Sequence, residues 1–493
     1  MSVAARIIVL HVIAWLVARS LSDPSLDPYG DMLETWHWGQ TFSLGSDKHP
    51  PLSGWVAGLW FLIFPTSNVA YYLLAYLNAA VGLLGVNALV HRLPGMLPGR
   101  DPVPVLICAA MMLPFSVLAV KFNANAILMS VWPWLIYCFL RALTEPGVRF
   151  SILTGLLGAL AMLGKYFSIV VLLTLFVVSV TTPMGRQWWR TPAPWAALVT
   201  GFVVFAPHLV WLVANGGTTL SYAFAQNEVD SEGGRRFIRF LLLPLAFGLP
   251  ALVLLTMATW QRGGVRSALM AVLQAWIPRD YGMITQLTLL PWVLTLICGV
   301  TGLVTLSSPW ALPLLIMMPF YWLQNLRRAP ISPMIMARGF QAWLCAILLV
   351  SPLYGFYESM RGSDNYYVPR QEAAKLIADQ WPPELGRSPS WVAGPWPEIV
   401  SLSFYGDQAI AAIDAGGPTD TETSEPGVIL CPMGFVERNL ASPCPDQAAA
   451  WLSRHDRESR FLMLEVARSG FRFLHHRPYR YQVYYVGHQR PVE

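Results

Sequence analysis

The sequence predicts an α-helical polytopic membrane protein of about 11 transmembrane helices with interfacial helices, followed by a small C-terminal α/β domain on the extracytoplasmic side. Three observations carry this. Of 493 residues, 55% are hydrophobic and only 12% charged, whereas a soluble globular chain carries roughly 25% charged residues. Apolar runs of about 20 residues, enough to cross a ~30 Å hydrocarbon layer, recur from residue 4 to residue 357. From residue 358 onward the composition turns polar, with Pro, Gly and alternating β-rich stretches.

The elements follow in order. The first run, "AARIIVLHVIAWLVARSL", has one arginine near its start and no small-residue cleavage pattern, so it reads as a retained helix; a cleaved signal peptide is the competing reading. The expected spans are 4–22, 68–92, 102–120, 123–143, 150–182, 195–214, 236–258, 284–305, 308–325 and 335–357. The piece "PLSGWVAGLWFLIFP" (51–65) is short for a crossing and reads as an interfacial or re-entrant helix. Two domains result: 1–357 in the membrane, with a first outer loop at 23–67, and 358–493 outside it. In the latter, "FLMLEVA", "FRFLHH" and "YRYQVYYVG" read as strands. Mean hydropathy is +0.47.

Arginine placement sets the topology. The loops "HRLPGMLPGR", "RALTEPGVR", "GRQWWR", "QRGGVRSALMAVLQAWIPR" and "NLRR" are basic, while the loop at 23–67 is mostly acidic. Cytoplasmic loops are enriched in Lys and Arg, so an inside N-terminus puts the acidic loop outside. A single crossing at 150–182 would then put Arg186 and Arg190 outside. One extra reversal corrects them and every later basic loop. This run holds "GKYF" (164–167) near its middle, so two short crossing helices with Lys165 at an outer turn are expected. The alternative is one tilted helix with Lys165 buried, at a cost of about 2.5–3.5 kcal/mol or more.

The net charge of +5 is small for this length, and nucleic-acid binding is excluded. Cys108, Cys138, Cys298 and Cys345 fall in apolar runs and read as inert; Cys431 and Cys444, 13 apart, form a disulfide if that part faces an oxidising compartment. No His or Cys cluster has metal-ligand spacing, and the adjacent His475 and His476 point to opposite faces of a strand.

Ionisable residues concentrate in "YGDMLETWHWGQTFSLGSDKHPPLSGW" (29–55). Asp31, among Tyr29, Trp36 and Trp38 at interface level, suits a general base, with Glu34 one turn on; the ordinary alternative is an N-cap or solvated acid. Lys165 suits a phosphate, with Tyr166 beside it; a lysine reaching for lipid phosphate is the ordinary alternative. Lys48 and His49 share that ambiguity. Lys121, Asn123 and Asn125 sit at another outer turn, where asparagines cap the next helix or bind sugar hydroxyls. The segment 205–237, with Glu228, Asp230, Glu232, Arg235 and Arg236, reads as a loop that closes over substrate or as a solvated connection.

Read together, these segments resemble the GT-C superfamily of polyprenyl-phosphate-sugar-dependent glycosyltransferases, in the bacterial family-39-like branch related to protein O-mannosyltransferases and the lipid A aminoarabinose transferase. Asp31, Trp38, Gln40, His49, Pro50, Pro51 and Leu52 keep the spacing of that branch's first outer loop; "GALAMLGKYF" looks like its Gly-Lys-Tyr motif and "PHLVWLVAN" (207–215) like its Pro-Trp-Asn segment. The match covers most of residues 5–235. Met32 replaces the usual acid after Asp31, and Asn123 and Asn125 stand where many members have an Asp-Ala-Pro-like turn. Glu34 then substitutes for the missing acid, or the site works with one carboxylate.

The resemblance implies an enzyme of the bacterial cell inner membrane with a periplasmic active site. It takes a polyprenyl-phosphate sugar from the bilayer and transfers the sugar, with inversion, to lipid A, core lipopolysaccharide or another glycolipid or glycan, with a protein acceptor as the less favoured alternative. Asp31 is the implied base. Lys165, Tyr166, Lys48, His49 and Lys121 are the implied phosphate-binding set, and Trp38, Asn123, Asn125, Arg235 and Arg236 the substrate-binding set. No cofactor is expected, and a divalent-metal requirement is left open. The competing class is a transporter or flippase of a lipid-linked saccharide, which would place ionisable groups along a path near the midplane rather than on one side.

Overall fold

The computed structural model describes the chain except residues 24, 27–28, 94–102, 226–232, 261–263, 279, 327–330, 363, 387–388, 407–410, 414–424, 441, 456, 469–476 and 490–493. Glu228, Asp230, Glu232, His475, His476 and the "FRFLHH" stretch therefore lie outside the described residues. The chain folds as two compact units: Met1–Ala18, Phe42–Leu59 and Tyr72–Leu349 form one, and Arg19–Thr41, Trp60–Tyr71 and Val350–Glu493 the other.

The helices run α1 (Val3–Ser22), α2 (Gly30–Gly39), α3 (Leu52–Phe61), α4 (Asn68–Val90), α5 (Val103–Met111), α6 (Ile127–Thr144), α7 (Arg149–Gly164), α8 (Ile169–Thr181), α9 (Pro183–Trp188), α10 (Ala193–Ala214) and α11 (Thr218–Ala225). They continue as α12 (Gly233–Trp260), α13 (Gly264–Ala275), α14 (Met283–Val300), α15 (Ala311–Leu314), α16 (Met318–Asn325), α17 (Pro333–Arg361), α18 (Asp364–Tyr367), α19 (Arg370–Asp379), α20 (Trp396–Tyr405) and α21 (Cys444–Arg454). Among the described residues, α1, α4, α6, α10, α12, α14 and α17 are long and apolar enough to cross a membrane. The chain is a multi-pass membrane protein. Seven of the expected spans fall on these helices.

The remaining three expected spans are interrupted, each for a physical reason. The run at 102–120 is α5 and the 3₁₀ turns of Leu113–Val120, bent by 78°. Pro114 sits at the break, where its missing N–H and its ring forbid a continuous helix. The freed carbonyls find new donors: Ser116 Oγ donates to Met112 O (2.9 Å) and the ring of buried His11 meets Phe115 O through Nε2 (2.7 Å). Pro309, Pro313 and Pro319 divide 308–325 into a 3₁₀ turn, α15 and α16.

The run at 150–182 is a helical hairpin. Lys165 leaves the helix with extended backbone (φ −166°, ψ 136°). A Cβ on Gly158 would lie 3.3 Å from Leu172 Cδ2, although a continuous helix would hold the two residues about 21 Å apart. Ser168 Oγ reaches back to Ala161 O (2.7 Å) and accepts from Trp132 Nε1 (3.1 Å), tying the turn to α6. At Gly155, α7 approaches α10 so closely that a Cβ would stand 2.1 Å from Ala197 O, the small-residue contact typical of helix pairs in lipid.

The second unit contains β1 (Trp391–Ala393), β2 (Ala411–Ile413), β3 (Gly427–Phe435), β4 (Arg438–Asn439), β5 (Arg457–Val466) and β6 (Tyr479–Gln489). The sheet order is β2-β1-β3-β6-β5, with β4 paired to β3. β1 runs parallel to β2 and β3, whereas β6 runs antiparallel to β3 and β5. β5 and β6 occupy the expected "FLMLEVA" and "YRYQVYYVG" stretches. α21 covers one face: Cys444, Ala448 and Trp451 bury against Trp391, Ile429, Cys431 and Val486. Cys431 and Cys444 are joined as a disulfide, fastening α21 to β3.

Candidate active site

In the first unit the chemistry gathers around the Lys165 turn. Its half-buried ammonium donates to Asn125 Oδ1 (2.8 Å) and stands 5.5 Å from the centroid of the Trp310 ring. Asn125 and Trp310 thus help to fix where the ammonium points. The two asparagines act differently. Asn123 Oδ1 accepts from the N–H groups of Asn125 (2.9 Å) and Ala126 (3.0 Å), shaping the turn into α6, while Asn125 presents its amide oxygen to the lysine. Asn78, which no sequence motif marks, braces the same turn by donating to Ala126 O (2.7 Å).

The loop carrying Lys48 and His49 closes on itself through one hydroxyl. Ser46 Oγ accepts from the backbone N–H of Lys48 (3.3 Å) and His49 (3.0 Å) and donates to His49 O (3.0 Å). Three groups hold this loop. Thr219 Oγ1 donates to Ser46 O (2.5 Å), Trp55 Nε1 donates to Ser43 O (2.7 Å), and the Trp211 ring lies where Gly45 would otherwise carry a Cβ. The His49 ring meets Tyr222 edge-on at 6.2 Å.

Buried His208 joins the loop to the Lys165 turn. Its Nδ1 lies 2.6 Å from Leu44 O and its Nε2 lies 2.6 Å from Tyr166 OH. A carbonyl only accepts, so Nδ1 carries the proton; in the neutral ring Nε2 then accepts from the Tyr166 hydroxyl. Three separated sequence motifs therefore meet in one unit: the loop before Pro50-Pro51, the Gly-Lys-Tyr turn and "PHLVWLVAN". His208 was legible in principle, since a polar ring inside an apolar run is a standing signal of function.

Lys121 follows the 3₁₀ turn of Val117–Val120, half-buried. Arg235 and Arg236 occupy the first turn of α12.

In the second unit, α2 carries the carboxylates. Asp31 is exposed in the first turn, where the dipole favours an anion. It is not the N-cap: that position belongs to Tyr29, because the helix begins at Gly30. Asp31, Glu34 and Trp38, spaced i, i+3 and i+7, share one helical face, while Met32, Leu33, Thr35 and Trp36 are buried. The Tyr71 hydroxyl anchors Met32 O from the buried side. Glu34 Oε1 accepts from Trp396 Nε1 (2.6 Å), a residue that no motif singled out.

The family model described as dolichyl-phosphate-mannose-protein mannosyltransferase matches residues 48–211, a stretch that includes Lys48, His49, the Gly-Lys-Tyr turn and the first five residues of "PHLVWLVAN", and that begins after Asp31 and Glu34. Over 225 residues the chain is 26% identical to the lipopolysaccharide core galacturonosyltransferase RgtA of Rhizobium johnstonii, covering 41% of this chain and 43% of RgtA. The match thus spans less than half the length of that curated relative. The crystal structure of ArnT from Cupriavidus metallidurans in the apo state superposes over 98% of this chain and 97% of ArnT, with 15% identity and a TM-score of 0.51. The chain has the fold of ArnT. ArnT bound to undecaprenyl phosphate aligns over 97% of both chains at 15% identity, with a TM-score of 0.48.

Proposed function

We propose that the chain is an integral membrane glycosyltransferase that moves a sugar from a polyprenyl-phosphate carrier to a glycolipid acceptor, lipid A or core lipopolysaccharide foremost, on the periplasmic side of the bacterial inner membrane. The observation that carries this reading is the Lys165 turn: an ammonium held by Asn125 and the Trp310 ring, with the adjacent Tyr166 joined through His208 to the loop that carries Lys48 and His49. Such a cation suits a lipid-linked phosphate. The family described by its dolichyl-phosphate-mannose donor and the relative named for lipopolysaccharide core support the donor and acceptor classes. The Cys431–Cys444 disulfide and the placement of the arginines support the periplasmic side.

The reaction is a displacement at the anomeric carbon. Asp31 takes the proton of the acceptor hydroxyl as its oxygen forms the new bond to C1. The C1–O bond to phosphate breaks, its electron pair leaves with the phosphate, and Lys165 stabilises the charge that develops there. The anomeric centre inverts. A phosphate leaving group needs no proton, so one base suffices.

Deleting the gene removes one sugar mass from an envelope glycolipid, as read by mass spectrometry, and the wild-type gene restores it. Asp31→Asn leaves turnover lower by about 10²-fold to 10⁴-fold. A glycolipid profile indifferent to the gene, or full restoration by Asp31→Asn, overturns the reading.

A further inference from the structure

We infer that α20 latches the helix bearing Asp31 in its working position, with Trp396 as a positioning residue acting through Glu34; the inference rests on the proposed role of Asp31 as base.

The contacts form a continuous chain within the second unit. Trp396 Nε1 donates to Glu34 Oε1 at 2.6 Å, a charge-assisted bond of the stronger kind. Glu34 lies one helical turn from Asp31 on the same face. The His37 ring, one turn further on, meets the same indole edge-on at 5.4 Å. At the other end of α20, the Phe404 ring touches three separate stretches: Trp36 at 5.3 Å, Phe61 at 5.5 Å and Tyr71 at 5.9 Å. Tyr405 OH accepts from Leu26 N (3.3 Å) and donates to Asn68 Oδ1 (2.7 Å).

α20 is itself immobilised. Glu398, 5% exposed, accepts from Arg370 through Nε (3.1 Å) and Nη2 (2.9 Å), pinning α20 to α19. A buried carboxylate so paired is retained at considerable desolvation cost, which marks the junction as a place where orientation matters. Glu34 sets its oxygen against an indole N–H. With that placement Glu34 acts mechanically, fixing the rotation of α2 about its axis and so the direction of Asp31.

The test uses the full chain. Trp396→Phe keeps the ring and removes the donor. Purified in detergent, this variant keeps the wild-type Tm and the wild-type affinity for undecaprenyl phosphate, the probe for carrier binding. Amide hydrogen exchange over residues 30–39 quickens, and glycolipid turnover in envelope vesicles of the native host falls about tenfold to hundredfold. Glu34→Ala loses as much, and the double variant loses no more than either single one, because the two share one bond. Wild-type turnover or unchanged exchange in Trp396→Phe overturns the latch, as do losses that multiply in the double variant. A fall in turnover matched by a fall in Tm is general destabilisation and overturns it too. An active Asp31→Asn removes the base assignment, whereas an inactive Asp31→Asn beside a fully active Trp396→Phe removes the latch alone.

Discussion

Lys165 owes its reach to one backbone step: extended torsion angles between two helices lift its side chain out of the helical ladder and let Nζ meet Asn125. Lys165→Ala is expected to weaken undecaprenyl phosphate binding by about tenfold to hundredfold, the worth of one hydrogen bond to a charged group, with little change in Tm. Titration of the purified protein with that lipid checks this; unaltered affinity removes Lys165 from the phosphate site. Lys165 and Asp31 stand out in the sequence because ionisable groups are rare in so apolar a chain. Asn123 and Asn125 were not separable, since cap and ligand differ only in where the backbone sends the amide. The Trp396–Glu34 bond spans 362 positions, and no local pattern encodes such a pairing.

The α7–α8 hairpin depends on a close helix contact. Gly155→Val would drive side-chain atoms into Ala197 O, which a Cβ alone already approaches to 2.1 Å. Its expected effect is a loss of about 1–3 kcal/mol of stability, read as a lowered Tm; an unchanged Tm would mean that the helices can part without penalty. At the end of α6, hydrogen bonds from Arg141 hold the Glu145 carboxyl below its ordinary range, with Arg92 and Arg149 adding their charge. A folded-state pKa lowered in this way contributes stability above the unfolded value near 4.5, and the contribution disappears as pH falls through the folded value. Thermal melts of wild type and Glu145→Gln should therefore differ at pH 7 and converge as the pH falls through the lowered folded-state value. A difference independent of pH would show that the carboxylate's charge is not what matters. The hairpin could be read from run length and arginine placement, because both are local sums. The bend at Pro114 could not: proline inside an apolar run marks a weak point without fixing an angle.

At the scale of the molecule, the membrane part and the polar tail follow from composition alone, since lipid and water select opposite residue types. What composition conceals is the membership of the second unit, in which Arg19–Thr41 and Trp60–Tyr71 join Val350–Glu493. Hydrophobic periodicity assigns elements but says nothing of which distant elements share a core. This joining has a consequence for how the protein is made. Tyr71 and Trp396 are 325 positions apart in the chain, and a ribosome adding about 5–20 residues per second needs roughly 16–65 s to cover that interval. Throughout that time the 30–39 segment waits for the α20 residues that meet Trp36 and Glu34 in the folded chain. Its maturation is one of the last events of biogenesis although it is among the first segments translated.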